Sequence, residues 1–357
     1  MAYLKLYKNK LEKNYKHLDK LFTKNNIEWA VVSKLLCGHK EYLELLLSLG
    51  MKEICDARLS NLRTIKKINP NVQTVYIKPP AKRSIEGIVK YADVSFNTEL
   101  QTIKWLSEEA VKQNRTHKVI IMIEMGDLRE GVVGENLIDF YESIFRLPNI
   151  EIRGLGTNLN CLSGVFPSED KLIQLGLYKQ LIEAKFNKKI PWVTGGTSVV
   201  IPMLLRKVLP KSINHFRVGE TLFFGNNLVT EEPIKGMEPD VFKLFAEIIE
   251  IAEKPMVPIG EMGLNPSGEA FAVNEEDYGK TTHRALLDLG VLDISNPQFL
   301  LPDDENIEVV GASSDMIALD LGDNFQGYKV GDVVSFSLKY MGALRVLNST
   351  YVEKIVE

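Results

Sequence analysis

Three short stretches of this chain carry residues whose types and spacing could do chemistry. The first is "WAVVSKLLCGHK", residues 29–40, in which an apolar run ends in a small residue and then in Lys34. A strand-end amine flanked by apolar residues is partly desolvated, which lowers a lysine pKa and frees the neutral amine to form an imine. A lysine in that position can equally snorkel to solvent. The other two are "TGGTS" (194–198) and "FRVGE" (216–220). Consecutive glycines leave backbone N–H groups open, and the Ser198 hydroxyl can join them around an anion. Gly195-Gly196 also reads as an ordinary strand-to-helix turn, and Arg217 as a structural ion-pair partner.

These residues need elements to position them. Eight short apolar runs alternate with longer amphipathic stretches: 29–33, 53–56, 74–78, 93–97, 118–124, 151–157, 192–198 and 213–219. The intervening stretches, such as "NTELQTIKWLSEEAVKQ", place apolar residues at helical spacing. Eight strand–helix repeats predict a closed (β/α)8 barrel of α/β class rather than an open doubly wound sheet, for which an early GxGxxG turn is missing. Chemistry in such a barrel sits at the C-terminal strand ends, and phosphate sites commonly follow strands seven and eight. Lys34 closes the first run, and the two glycine-containing stretches close the seventh and eighth. An imine-forming lysine and a phosphate cradle in one barrel mouth suggest pyridoxal 5'-phosphate.

After Gly225 the pattern changes. "EEPIKGMEPD" reads as a linker, and the strands and turns beyond it predict a C-terminal all-β domain. The expected domains are residues 1–230, the cofactor-binding barrel, and 237–357. The N-terminal strand, around "LKLY", can belong to either.

The bulk properties narrow the partners. The 357 residues are 45% hydrophobic and 25% charged, with a net charge of −4 and no basic block, so nucleic acid and anionic membrane are poor partners. Three cysteines, Cys37, Cys55 and Cys161, suggest neither a disulfide framework nor a zinc knuckle, and the five histidines form no ligand-spaced cluster, so no metal is expected. With no apolar signal core and no 18-residue apolar run, the expectation is a cytoplasmic protein with a small-molecule substrate.

The motifs resemble those of the alanine racemase-like, fold type III pyridoxal-phosphate enzymes, whose pattern is a barrel followed by a β domain. "AVVSKLLCGH" is similar to their cofactor-lysine segment, which implies that Lys34 carries the cofactor. "MIEMGDLREG" resembles the segment whose arginine contacts the substrate carboxylate, here Arg129. "GLGTNLNC" resembles the segment that places a histidine under the cofactor ring; that position here is Asn158. "GGTS" matches the phosphate-binding segment, with Gly196, Thr197 and Ser198. "FRVGETLFFG" resembles the segment whose arginine faces the pyridine nitrogen, which implies Arg217, with phosphate-binding backbone at Gly219 and Glu220. "VVGASSDMIALDLGD" resembles a motif that reaches the partner subunit's active site, which implies a homodimer with shared sites.

Two departures point to a particular branch. Alanine racemases carry a tyrosine four residues after the lysine, where this chain has Gly38, and the exchange is expected to open space near the cofactor. Their second base is a tyrosine of the β domain, where this chain has Glu261 within "VPIGEMGLNPSG". That pattern with "GTNLNC" looks more like the ornithine racemase branch, which implies interconversion of the L and D forms of ornithine, and of lysine as well. The resemblance makes Lys34 and Glu261 the acid/base pair, with Glu261 alternatively binding a basic side chain and Tyr340 in reserve as the base. Asp315 would pair with the distal ammonium or simply cap its loop. The competing readings are an alanine or broad-specificity racemase, a non-catalytic carrier of pyridoxal phosphate, for which residues 237–357 are too extensive, and a decarboxylase, against which Arg217 and the lack of any cysteine after Cys161 both speak.

Overall fold

The computed structural model describes residues 2–264, 268 and 270–357. The chain divides into two compact units. One is Tyr7–Val241, and the other joins residues 2–6 to Phe242–Glu357.

The strand β1 (Tyr3–Leu6) precedes the helix α1 (Lys8–Lys24), with which the first large unit begins. The barrel strands are β2 (Glu28–Val32), β3 (Glu53–Asp56), β4 (Gln73–Tyr76), β5 (Val94–Asn97), β6 (His117–Met122), β7 (Ile150–Gly156), the short pair β8 (Trp192–Thr194) and β9 (Gly196–Thr197), and β10 (His215–Val218). Helices follow them in turn: α2 (Lys40–Ser48), α3 (Leu59–Ile68), α4 (Ile85–Tyr91), α5 (Leu100–Lys112), α6 (Leu137–Phe145), α7 (Glu169–Phe186), α8 (Ile201–Leu205) and α9 (Glu220–Phe224). Every pairing in this sheet is parallel. β8 pairs with β7 and β9 pairs with β10, so a single strand split at Gly195 completes the ring. All eight sequence runs thus become barrel strands.

The barrel interior explains the residue choice. Ala30, Val32, Cys55, Val75, Val94, Phe96, Ile120, Met122 and Trp192 form one buried cluster, with Ile77 packed against it. Alternate residues along each strand point inward, and branched or bulky side chains fill the ring. β7 is the exception, and its glycines are needed for close approach. A Cβ on Gly154 would lie 2.8 Å from Trp192 Cβ, and one on Gly156 would collide with Thr194. The missing side chains leave room for the Trp192 indole, whose Nε1 donates to Glu28 Oε1 at 3.1 Å.

The second unit is a largely antiparallel sheet in the order β13-β16-β11-β12-β15-β14. Its strands are β11 (Phe242–Pro255), β12 (Thr281–Leu287), β13 (Leu300–Pro302), β14 (Glu308–Ala312), β15 (Ile317–Asp320), β16 (Val333–Leu338) and β17 (Glu353–Val356), with helices α10 (Val291–Ile294) and α11 (Tyr340–Asn348) between them. β1 pairs antiparallel with β11 and parallel with β17, so the two ends of the chain are adjacent strands of this unit. "KYMG", which reads as a continuation of the β16 run, leaves the strand after Leu338. It enters α11, where Gly342, Ala343, Val346 and Leu347 recur at helical spacing on the buried side.

At the start of β6, His117 is buried and its Nε2 lies 2.8 Å from Ser95 Oγ. Burial, joined by the charge of Arg115, pushes this imidazole down to about 4. As pH falls through 6.5 the unfolded chain takes up a proton here that the folded chain refuses until about pH 4. Stability is therefore lost across that window, by up to about 3 kcal/mol. Urea unfolding at pH 7 and pH 4.5 is expected to show a larger acid-induced loss in the unaltered protein than in His117→Gln. Equal losses would place the titration elsewhere.

Candidate active site

The mouth of the barrel is formed where parallel strand ends meet. Arg217 pairs in register with Ala30 and Val218 with Val31, so the β2 and β10 ends lie side by side. Lys34 follows β2 as the first residue of a single 3-10 turn, Lys34–Leu36. That turn is built by the backbone: Leu36 N–H donates to Ser33 O, Cys37 N–H to Lys34 O and His39 N–H to Leu36 O. Cys37 and Gly38 have φ of 50° and 80°, the left-handed conformation that closes the turn. A carboxylate locks it from the side. The buried Asp56, at the end of β3, accepts from Ser33 Oγ at 2.8 Å, from Arg58 N–H at 2.8 Å and from Asn61 Nδ2 at 3.1 Å. Burial raises the Asp56 pKa, and these donors work against that rise.

Two expectations about this turn need correction. Lys34 is exposed within the chain, not partly desolvated, because its side chain leaves the apolar strand for the open mouth. Gly38 does not open space either. A Cβ there would lie 2.5 Å from Asn61 Oδ1, so the side chain that Asp56 holds already fills the position.

On β10, the strand next to the one that Lys34 follows, Arg217 is buried. Its Nη1 donates to Thr194 O at 3.1 Å and Thr194 Oγ1 at 3.2 Å, and its Nη2 to Thr157 O at 2.8 Å. The guanidinium carbon sits 5.0 Å from the centre of the Phe96 ring, a cation–π contact. Among the described residues no carboxylate forms an ion pair with it. Burial pushes Arg217 down to about 10, so it stays charged at neutral pH.

The residues expected to hold an anion come together beside it. Ser198 is buried, and its Oγ accepts from Thr221 N–H at 3.3 Å, tying the turn after β9 to α9. Gly196 lies flat against the Phe216 ring, where any Cβ would collide, and Thr197 follows it in β9. Gly219 immediately precedes α9 and would bring a Cβ within 3.2 Å of Val32. Glu220 opens the helix. Burial raises its carboxyl pKa, and the Lys34 charge offsets part of that rise. Glycine at both close approaches brings backbone amides to a bound group. The Thr157 Oγ1 is buried without a hydrogen-bond partner among the described residues, a donor left for something else.

The loop from Glu124 to Val132 presents Arg129. Glu124 Oε1 accepts from Gly126 N–H at 2.5 Å and Leu128 N–H at 3.1 Å, and Lys171 Nζ donates to Met125 O at 2.8 Å. Asp127 then joins this loop to the next one. It is buried and accepts from the N–H groups of Leu162 (2.9 Å), Cys161 (3.2 Å), Ser163 (3.3 Å) and Val165 (3.3 Å). Burial works to raise the Asp127 pKa, but the four backbone donors outweigh it and hold the carboxyl below its usual range. The result fixes "TNLNC" beside Arg129, and the Asn158 amide, with its oxygen turned toward the guanidinium, accepts from Arg129. Arg129 also pairs with both oxygens of Glu130. Sequence reading placed Asp56 and Asp127 at strand ends without a role and missed Glu130 and Asn61. Only "GDLREG", with acids on both sides of the arginine, carried a visible signal.

Lys34, Arg129, Asn158, Ser198, Arg217, Gly219 and Glu220 thus belong to one barrel mouth. Glu261 and Asp315 belong to the other unit, and both are exposed. Asp315 sits in the turn between β14 and β15, where Ser313 N–H donates to Met316 O at 2.8 Å. The end of the "VPIGEMGLNPSG" motif, residues 265–267, lies outside the described residues.

Comparison with known proteins agrees with this geometry. The family model "Alanine racemase, N-terminal domain" matches residues 7–227. The chain is 36% identical to the ornithine racemase of Acetoanaerobium sticklandii, with 97% of each chain covered. It is 31% identical to the lysine racemase of Thermotoga maritima, with 100% of this chain and 99% of the relative covered. Among solved structures, an alanine racemase from Bartonella henselae with covalently bound pyridoxal phosphate superposes with a TM-score of 0.76 at 15% identity, covering 100% of this chain and 99% of that one. An alanine racemase from Clostridium difficile 630 superposes with a TM-score of 0.73 at 18% identity, covering 100% and 95%. Matched across its barrel by the family model and along almost its whole length by two racemases, this chain belongs to the alanine racemase family.

Proposed function

We propose that this protein is a pyridoxal 5'-phosphate-dependent racemase of basic amino acids, ornithine foremost and lysine as well. The observation that carries the reading is Arg217, a buried cation with no acid paired to it among the described residues, on the strand beside the one that Lys34 follows. The kinship to an ornithine and a lysine racemase supports the substrate class. The residues suit the cofactor. Ser198 and the amides around Gly196, Thr197, Gly219 and Glu220 suit its phosphate, Arg217 its ring nitrogen, and Lys34 Nζ its aldehyde carbon.

When bound, pyridoxal phosphate supplies an electron sink for the pair left behind as the α-proton departs. The chain does the rest. A guanidinium does not readily give up a proton, so Arg217 can only donate to the ring nitrogen and keeps it unprotonated. That weakens the sink and favours return of the proton over transamination. Arg129 binds and orients the substrate carboxylate through its planar fork. Asn158, on the Arg129 guanidinium, keeps that fork at a fixed height in the mouth. Lys34 Nζ, once free of the cofactor, takes or returns the α-proton on one face. It does so from an exposed turn, so docking of a second subunit, not the chain alone, would exclude water from it. A racemase needs a second acid/base on the opposite face. The partner subunit's Glu261 is assigned that role, and the partner subunit's Asp315 faces the distal ammonium. Both acids are exposed within their own chain, as a homodimer with shared sites requires of them.

In deuterium oxide, exchange of the α-proton of L- and D-ornithine and lysine is expected to exceed that of alanine by at least about tenfold in kcat/KM, or about 1.4 kcal/mol of transition-state difference. Lys34→Ala removes exchange with every substrate. Exchange with no amino acid of either hand would overturn the racemase reading, and a preference for alanine would overturn the substrate class alone. The shared-site arrangement has a separate check. Mixing inactive Lys34→Ala with inactive Glu261→Gln generates mixed dimers in which one site keeps both residues, so about a quarter of full activity per subunit should return. No recovery, with subunit exchange shown by mass-tagged chains, would mean that each chain completes its own site.

A further inference from the structure

Arg129 arrives in the mouth with a carboxylate already on it. Its Nε and Nη2 donate to the two oxygens of Glu130, and its terminal nitrogens face the Asn158 amide oxygen. A guanidinium offers two edges that can grip a carboxylate with paired N–H groups, and both are occupied. A substrate carboxylate therefore enters by exchange with Glu130, not by addition to a free cation.

Trading one carboxylate for another on the same fork changes little by itself. What the trade leaves behind is a Glu130 side chain with only 14% of its surface exposed and no guanidinium on it. An acid stripped of its partner in a half-buried position is costly unless a new cation reaches it. A basic amino acid brings that cation on its own side chain, whereas a neutral amino acid brings none. Glu130 also stands within electrostatic reach of Arg217, as does Arg129. The backbone on either side of it is tied, before it by the Glu124 and Asp127 carboxylates and after it by the Val132 hydrogen bonds to Met122 O and Glu124 N–H, so a release of Arg129 calls for movement of the Glu130 side chain alone.

We propose that Glu130 is a specificity-determining residue: it fills the Arg129 fork in the free enzyme and is released onto the substrate's distal ammonium when the α-carboxylate takes its place. This selects for basic side chains through the cost imposed on neutral ones. It rests on the racemase reading above and adds to it a group of the same chain.

The test compares L-ornithine with L-norvaline, which has the same carbon skeleton and no distal amine, in the holoenzyme. Glu130→Gln removes the charge and keeps the shape. The ornithine-to-norvaline ratio of kcat/KM should fall at least tenfold, with norvaline turnover rising, since nothing charged is then stranded. Glu130→Asp should recover part of the ratio. The same ratio is read independently of turnover from the dissociation constants, by titrating each amino acid against the cofactor absorbance. A ratio that stays within threefold in both measurements overturns the proposal and leaves Glu130 as a residue that only positions Arg129, and so does a parallel loss with both substrates. If the unaltered enzyme does not turn over ornithine at all, the substrate class proposed above has failed, and that outcome precedes any variant.

Discussion

A buried guanidinium that no carboxylate among the described residues pairs with governs this barrel mouth. Placing such a charge away from water is expensive, and Arg217 is tolerated because carbonyl oxygens of Thr157 and Thr194, the Thr194 hydroxyl and the face of Phe96 surround it. Those acceptors exist only because of how the strands are made. β7 lacks inward side chains at Gly154 and Gly156, which lets Trp192 and Thr194 move in, and Gly195 splits the following strand so that it can pair with both neighbours. The same split places Gly196 and Ser198 beside α9, where the Ser198 hydroxyl accepts from Thr221 N–H. One electrostatic requirement thus connects the interior packing to the site.

The other half of the mouth is organised by acids that do not touch Arg217. Asp56 holds the Lys34 turn through Ser33 and Asn61, and Asp127 gathers four backbone amides of the loop at 161–165. Each replaces several weak backbone contacts by charge-assisted hydrogen bonds in a buried setting, where such bonds are strongest. Lys34 and Arg129 are therefore presented on short, tied loops. Rigid presentation matters for a reaction in which a proton must leave from one face and return from the other.

Much of this was legible in the sequence for a simple reason. Parallel strands buried on both faces read as short continuous apolar runs, so the eight runs, and the residues just after them, could be placed without knowing the fold. Lys34 and Ser198 stand out because an amine or hydroxyl marks the end of such a run, and Arg217 because a charge stands inside one. What could not be read depends on contacts distant in sequence. Asn61 fills the space over Gly38 from 23 positions away, and nothing in "CGHK" signals it. The exposure of Lys34 depends on the width of the mouth, not on the apolar residues before it. β1 joins the sheet of the second unit through a strand at the far end of the chain, and "SFSLKYMG" hides the start of a helix because its first residues are as apolar as the strand before them. The Arg129–Glu130 pair is adjacent in sequence, yet only the fold shows that the two side chains turn toward each other.

The account depends most directly on the protonation of the cofactor's ring nitrogen. Nitrogen-15 NMR of the holoenzyme, prepared with ring-labelled pyridoxal phosphate at neutral pH, reads that state without reference to turnover. Because Arg217 is charged and has no proton to spare, the signal is expected at the position of an unprotonated pyridine accepting a hydrogen bond. A protonated ring nitrogen would contradict the account, since it would require an acid where the proposed function assigns the Arg217 guanidinium.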